Sequence, residues 1–264
     1  MAKRDRKTDQ DEPVIDLAPA EMSAATREAL RSYTPARIGL ERTGVSLATH
    51  PLLDFQLAHA RARDAVHAAM DVRMLCDELR RSGLPALALK SRAANRGTYL
   101  KRPDLGRLLS EDSTRLLSPG EHDVVFVIAD GLSALAVERH ALHLMSALLP
   151  LIAGWRLAPV CVVEQGRVAV GDAIGEALRA PLAVVLIGER PGLSSPDSLG
   201  VYLTWEPRSG RKDAERNCIS NVREEGLSYV AAASRLRYYM DEASRRHMTG
   251  LAIKDPAEDL ASLL

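Results

Sequence analysis

The sequence lacks an excess of charge, closely spaced cysteines and long apolar runs. Basic and acidic residues number 35 each, so the net charge does not favour binding to nucleic acid or to anionic membranes. Cys76, Cys161 and Cys218 are too far apart for a zinc knuckle or a redox CxxC motif. They fit a reduced, cytoplasmic compartment. The apolar runs are too short to cross a bilayer, and the charged first residues do not resemble a secretory signal. We therefore expect a soluble protein.

Motifs of self-contained catalysis are also missing. The sequence has no Walker A motif, no GxGxxG fingerprint and no HExxH zinc motif. Ser133 follows a predicted strand, but Leu135 stands where the hydrolase pattern G-x-S-x-G requires glycine. Ser133 is therefore interpreted as a helix cap. His140 and His143 share one face of a predicted helix without a zinc motif around them. We predict no catalytic residues and no metal ligands in this chain.

The chain does contain enough apolar residues for a large core, since they make up 46% of 264 residues. Residues 1–20 are highly charged and are predicted to form a disordered tail, with a peptide that docks on a partner or a shell as the alternative. Residues 21–115 are predicted to be a helical region. One helix follows Pro51, and another covers Val72 to Ser82 before a glycine.

Residues 116–264 have a different character, because short apolar runs alternate with helical patterns. This alternation predicts an α/β domain with a doubly wound, mainly parallel sheet. Arg167–Val170 is predicted to be a short strand extension or hairpin arm. The predicted strands are Val124–Ala129, Pro159–Val163, Leu182–Ile187 and Val201–Trp205, and the predicted helices run from Ser133 towards Leu151, from Asp172 to Leu178 and from Leu227 to Arg246.

Loops at the carboxyl ends of these strands are the predicted ligand-binding region, as in other open parallel sheets. They are the Asp130-Gly131 turn, the neighbourhood of Gly166 to Val168, and the segment from residue 188 to 192. In the last of these, Glu189 is placed where it could accept hydrogen bonds from a ligand. An ion pair with the adjacent arginine, or exposure to solvent, explains Glu189 equally well.

Two further segments leave several interpretations open. Cys218, within the polar stretch ERNCISN, is a small buried residue, a ligand contact or a nucleophile. The last of these is least favoured, because no histidine lies nearby to activate the thiol. Segment 100–107 (LKRPDLGR) is an exposed partner-binding loop or a domain linker.

Several stretches together resemble the small subunit of ethanolamine ammonia-lyase, an adenosylcobalamin-dependent enzyme. They occur in the order of that family and extend through nearly the whole chain after the tail. These stretches are TPARIG (34–39), FQLAHARARD (55–64), LKRPDLGR (100–107), VIADGLS (127–133), GRVAVGDAIGE (166–176), LIGERPGLSSPDSL (186–199) and RNCISN (216–221).

The resemblance implies a Rossmann-like domain, residues 116–264, that forms part of an adenosylcobalamin site at the interface with a large subunit. The helical region, residues 21–115, is expected to contact the large subunit. The family converts ethanolamine to acetaldehyde and ammonia, and the large subunit, a TIM barrel, binds the substrate. By motif, the cofactor contacts fall on Val168, Glu189 and Cys218. The chain has no D-x-H-x-x-G motif, so we expect no protein imidazole from it on cobalt.

These expectations define a lyase subunit that is inactive alone and works in a hetero-oligomer. The predicted location is the cytoplasm, inside or outside a bacterial microcompartment. The alternative is a non-catalytic assembly or scaffold subunit of a metabolic complex.

Overall fold

The computed structural model describes residues 24–34 and 36–254. The chain divides into two units after Leu53. In the first unit, helix α1 covers Ala24–Tyr33, and two short antiparallel strands, β1 (Arg42–Thr43) and β2 (Ser46–Leu47), form a hairpin. Helix α2 (Thr49–His67) begins here and continues into the second unit. The predicted disordered tail, residues 1–20, lies outside the described residues.

The second unit is built on a six-stranded sheet. Its strands are β3 (Ala86–Lys90), β4 (Val124–Ala129), β5 (Val160–Glu164), β6 (Leu182–Gly188), β7 (Leu199–Trp205) and β8 (Asn217–Val222). They lie in the order β3-β5-β4-β6-β7-β8. The first four strands in this order are parallel, whereas β7 runs antiparallel to both β6 and β8. The prediction of an α/β fold with a mainly parallel sheet is therefore confirmed.

Helices cover both faces of the sheet, so the central strands are apolar on both sides. Alternate residues of β4 point to opposite faces. The helices of this unit are α3 (Val72–Arg81), α4 (Arg96–Lys101), α5 (Pro103–Gly106), α6 (Glu111–Arg115), α7 (Ala134–Leu148), α8 (Val170–Leu178) and α9 (Tyr229–Arg246), with short 3-10 helices at Leu149–Ile152 and Asp213–Glu215. Phe126 and Ile128 pack with α3, α7 and α9, whereas Val125 and Val127 pack with α8.

Helix α7 begins where the sequence predicts. The Ser133 hydroxyl accepts a hydrogen bond from the Ala136 amide at 3.2 Å, which is the N-cap contact that satisfies an amide of the first turn. In the described part of the chain, Ala134–Ile152 is the single helical segment long and apolar enough to span a membrane. The apolar residues of α7 form the core between the sheet and α9, which accounts for this composition.

Three local predictions differ from the structure. Arg167–Val170 is not a strand extension, because its backbone turns directly into the first residues of α8. β8 lies in the polar stretch around Cys218, where the alternation of buried and exposed residues is too short to identify a strand. β3 lies within the region predicted to be helical and forms an edge of the sheet. The domain division at residue 115 itself stays a prediction.

Candidate functional site

The carboxyl ends of β4, β5 and β6 meet at one edge of the sheet, where buried Asp130 organises the loop after β5. Its two carboxylate oxygens accept hydrogen bonds from the Gln165 and Gly166 amides, each at 3.0 Å. Arg96 Nη1 lies 3.4 Å from the same carboxylate. Burial raises the pKa of Asp130 to about 6, because Arg96 and the amides offset the desolvation only in part. Asp130 therefore supports the loop from inside the protein, since its side chain is almost completely buried.

The loop that carries Val168 is held from its other side by the segment around α4 and α5. The Tyr99 hydroxyl donates a hydrogen bond to the Gly166 carbonyl at 3.0 Å, and the Arg167 amide donates to the Gly106 carbonyl at 2.8 Å. The Arg167 guanidinium also lies 4.4 Å from the centre of the Tyr99 ring, within cation–π range. These contacts fix the backbone on which Val168 stands.

Val168 lines a cavity of about 560 Å³. Arg167 lines it too, and its buried Nε has no hydrogen-bond partner among the residues that the structure describes. Part of segment 100–107 contributes to the wall, so these residues form the surface of a hollow. The lining residues are Pro103, Asp104, Arg107, Arg167, Val168, Ala169, Tyr202 and Asp213.

Tyr202, on β7, connects this cavity with the neighbouring strand. In the sheet register it lies between Val185 of β6 and Cys218 of β8, so the three side chains project from the same face. Burial is the main cause that raises the pKa of Tyr202, and the Cys218 thiol and the Glu189 carboxylate act in the same direction. The tyrosine therefore stays neutral at physiological pH. It lines the cavity together with Val168, and it pairs with Cys218 across the sheet.

Cys218 is exposed to solvent, so the interpretation as a small buried residue is wrong. Its sulfur lies 3.3 Å from the Ser220 hydroxyl, two residues further along the same edge strand. A thiol at this position can pack against a ligand and form only weak hydrogen bonds with it.

Glu189, directly after β6, has a defined position that the sequence does not show. The Ser198 hydroxyl donates a short hydrogen bond to its carboxylate, and the Asn221 amide donates another at 3.2 Å. Gly200 makes room for it, since a Cβ there would lie 3.0 Å from both Cγ and Oε1 of Glu189. These contacts place the carboxylate over β7 and against the end of β8. In the described part of the chain, Glu189 does not form an ion pair with Arg190.

The structure thus brings the three predicted residues to one exposed face, which we call the β7–β8 face and define by Val168, Glu189, Tyr202 and Cys218. The sequence did not identify Tyr202, and it did not show the contacts that Ser198, Gly200 and Asn221 make with Glu189. The alternation in VYLTW marks Tyr202 as a candidate for this face, but the pairing partners of β7 could not be read from the sequence.

A buried ion pair joins two elements of this face. Asp172, in the first turn of α8, binds Arg216 through both oxygens at 2.6 and 2.7 Å, and the two side chains are almost completely inaccessible. Burial alone would lower the pKa of Arg216, but its hydrogen bonds and charge interaction with Asp172 raise it. Asp172 follows Val168 closely in the chain, and Arg216 comes just before Cys218. The ion pair therefore holds the start of α8, next to Val168, against the start of β8, next to Cys218.

Comparison with known proteins gives one consistent family. Residues 24–254 match the model of the ethanolamine ammonia-lyase light chain (EutC). The chain is 60% identical to the ethanolamine ammonia-lyase small subunit of Pseudomonas paraeruginosa over 237 residues, 87% of each chain. It is 59% identical to that of Azotobacter vinelandii over 87% of this chain and 88% of the relative. It is 54% identical to that of Ralstonia nicotianae over 92% and 93%. The chain therefore belongs to the family of ethanolamine ammonia-lyase small subunits.

Proposed function

We propose that the β7–β8 face forms one wall of an adenosylcobalamin site, and that the large subunit of ethanolamine ammonia-lyase supplies the other wall. The reaction of the assembled enzyme would be the conversion of ethanolamine to acetaldehyde and ammonia. The observation that supports this proposal is the grouping of Val168, Glu189 and Cys218 around Tyr202 beside a cavity of about 560 Å³.

The residues on this face fit a large ligand that has both apolar surface and many amide and hydroxyl groups. Val168 and the Tyr202 ring offer apolar contact, and Glu189 offers a carboxylate acceptor for amide or hydroxyl donors. Arg167 lines the same cavity and contributes a guanidinium group to its wall. The missing side chain at Gly200 keeps Glu189 low against the sheet, so that a flat ligand can approach.

When bound, adenosylcobalamin supplies radical chemistry through homolysis of its cobalt–carbon bond. The residues of this chain would bind and orient the cofactor and exclude water from one side of the site. The residues of the β7–β8 face would only bind and orient the cofactor, so the isolated chain would have no lyase activity. Its place in the cytoplasm, inside or outside a bacterial microcompartment, belongs to the same proposal.

The test is the affinity of the co-expressed two-subunit enzyme for hydroxocobalamin, measured by spectroscopic titration. Glu189→Ala removes the acceptor and is expected to weaken binding about tenfold, the effect of losing one hydrogen bond to a charged group. Glu206→Ala is the matched control, because Glu206 is an exposed carboxylate at the opposite end of β7.

Equal affinities for the two variants and the unmodified enzyme would reject the cofactor role for this face. Retained assembly with the large subunit would then favour the alternative, a scaffold subunit that serves only to build the complex.

A further inference from the structure

Loop 189–198, which connects β6 to β7, is anchored on both faces of the sheet. Its last residues, Pro196 to Ser198, lead into β7, and successive side chains there point in opposite directions. Asp197 points to the side of α7, whereas the Ser198 hydroxyl binds Glu189 on the β7–β8 face. Any contact that fixes Asp197 therefore also limits where Ser198 can lie.

The N-cap of α7 and two residues of its second turn contact Pro196 and Asp197. The Ser133 hydroxyl donates a hydrogen bond to the Pro196 carbonyl at 2.9 Å. Arg139 Nη1 donates to the Asp197 carboxylate at 2.7 Å, and His140 Nε2 lies 3.5 Å from the same oxygen. His140 is buried, and its other ring nitrogen lies 2.8 Å from the Tyr229 hydroxyl, which orients the imidazole.

The Asp197 carboxylate is also electrostatically suited to this contact. Burial alone would raise its pKa, but the hydrogen bond from Arg139 and the neighbouring His140 lower it, so the carboxylate is charged at neutral pH. A charge-assisted hydrogen bond is stronger than a neutral one, and this one lies mostly out of solvent at the carboxylate end.

We propose that Asp197 is a positioning residue that sets the Glu189 carboxylate, with Arg139 holding Asp197 on one face and Ser198 holding Glu189 on the other. The inference rests on the proposed cofactor role of Glu189. It assigns a role in binding to residues of α7 that do not belong to the β7–β8 face.

The first experiment measures the loop itself, without cofactor. In the two-subunit enzyme, Arg139→Ala is expected to increase deuterium uptake in peptides that cover residues 189–198, with unchanged uptake in β4. The matched control is Arg156→Ala. Arg156 forms an ion pair of 2.8 Å with Asp123 at 58% side-chain exposure, compared with 2.7 Å and 54% for Arg139. Unchanged uptake in the loop after Arg139→Ala would overturn the proposal.

The second experiment asks whether Arg139 acts through Glu189. We expect Arg139→Ala to weaken hydroxocobalamin binding about three- to tenfold, a usual range for coupled neighbours. Combined with Glu189→Ala, the same change is expected to have no further effect. Arg139→Lys, which keeps a charged donor, is expected to restore most of the affinity. Purely structural damage would not be restored in this way and would persist when Glu189 is absent.

The outcomes separate the two proposals. An equal loss of affinity with and without Glu189 would overturn the positioning role of Asp197 and leave the cofactor role of Glu189 intact. Increased loop exchange without any effect of Glu189→Ala on cobalamin would confirm that α7 holds the loop. That result would nevertheless reject the cofactor site, and with it the role of Asp197 in binding.

Discussion

Replacing Asp172 by asparagine should destabilise the protein strongly, because the buried Arg216 guanidinium then keeps only one charged partner, the exposed carboxylate of Asp213 at 3.6 Å. The carboxylate accepts two hydrogen bonds from Arg216, at 2.6 and 2.7 Å, and the two side chains are only 3% and 1% exposed. The neutral partners that remain for Arg216 are the Thr204 hydroxyl at 2.7 Å and the Arg211 carbonyl at 3.2 Å. Breaking a buried pair at one side typically costs about 3–5 kcal/mol.

The assay is urea unfolding of the purified chain followed by far-UV circular dichroism. We expect Asp172→Asn to lower the free energy of unfolding by about 3–5 kcal/mol, a large part of the stability of an ordinary domain. The double change Asp172→Leu with Arg216→Met removes both charges together. It should cost much less than the single change, because no unpaired charge stays buried.

A second ion pair of the same length provides the control. Arg102 and Asp104 lie 2.6 Å apart, but both side chains are more than half exposed, so Asp104→Asn should leave the unfolding midpoint unchanged. The reasoning would be refuted if Asp172→Asn changed stability no more than Asp104→Asn. It would also be refuted if the double variant were less stable than the single one.

Three further predictions concern the loops around the β7–β8 face. Gly200→Ala should displace the Glu189 carboxylate and weaken hydroxocobalamin binding in a titration, with little change in the free energy of unfolding. Gly154→Ala should change neither the affinity nor the stability, because a Cβ at that position meets nothing within 4 Å. Asp130 has a pKa of about 6 in the fold, compared with 3.8 for an ordinary aspartate, so its charging opposes folding as pH rises. The free energy of unfolding, measured at several pH values, should therefore fall by about 3 kcal/mol in the unmodified protein relative to Asp130→Asn between about pH 4 and 6, and should not fall further above this range. A difference between the two proteins that stays constant with pH would contradict this. Ser133→Ala removes both the α7 cap and the hydrogen bond to loop 189–198. It should lower the free energy of unfolding by about 1–2 kcal/mol in urea titrations, and a change below a few tenths of a kcal/mol would show that water replaces both contacts.

The sequence alone was sufficient for the centre of the sheet and the start of α7. VVFVIA and LAVVLI are continuous apolar runs of strand length, and such runs are stable only where both faces are covered. The observed strands β4 and β6 match these runs closely. Ser133 caps the next helix because a hydroxyl can accept from a free amide of the first turn, which is a local interaction.

Only the tertiary structure decided which side chains meet on the β7–β8 face. The direction of β7 depends on the loop of residues 189–198, which is too short for a crossover helix and returns the chain antiparallel to β6. That pairing places Tyr202 beside Cys218 and gives Glu189 its contacts with Ser198 and Asn221. Family motifs point to single residues, but neighbours across a sheet are set by register between segments far apart in the chain. No local pattern encodes that register.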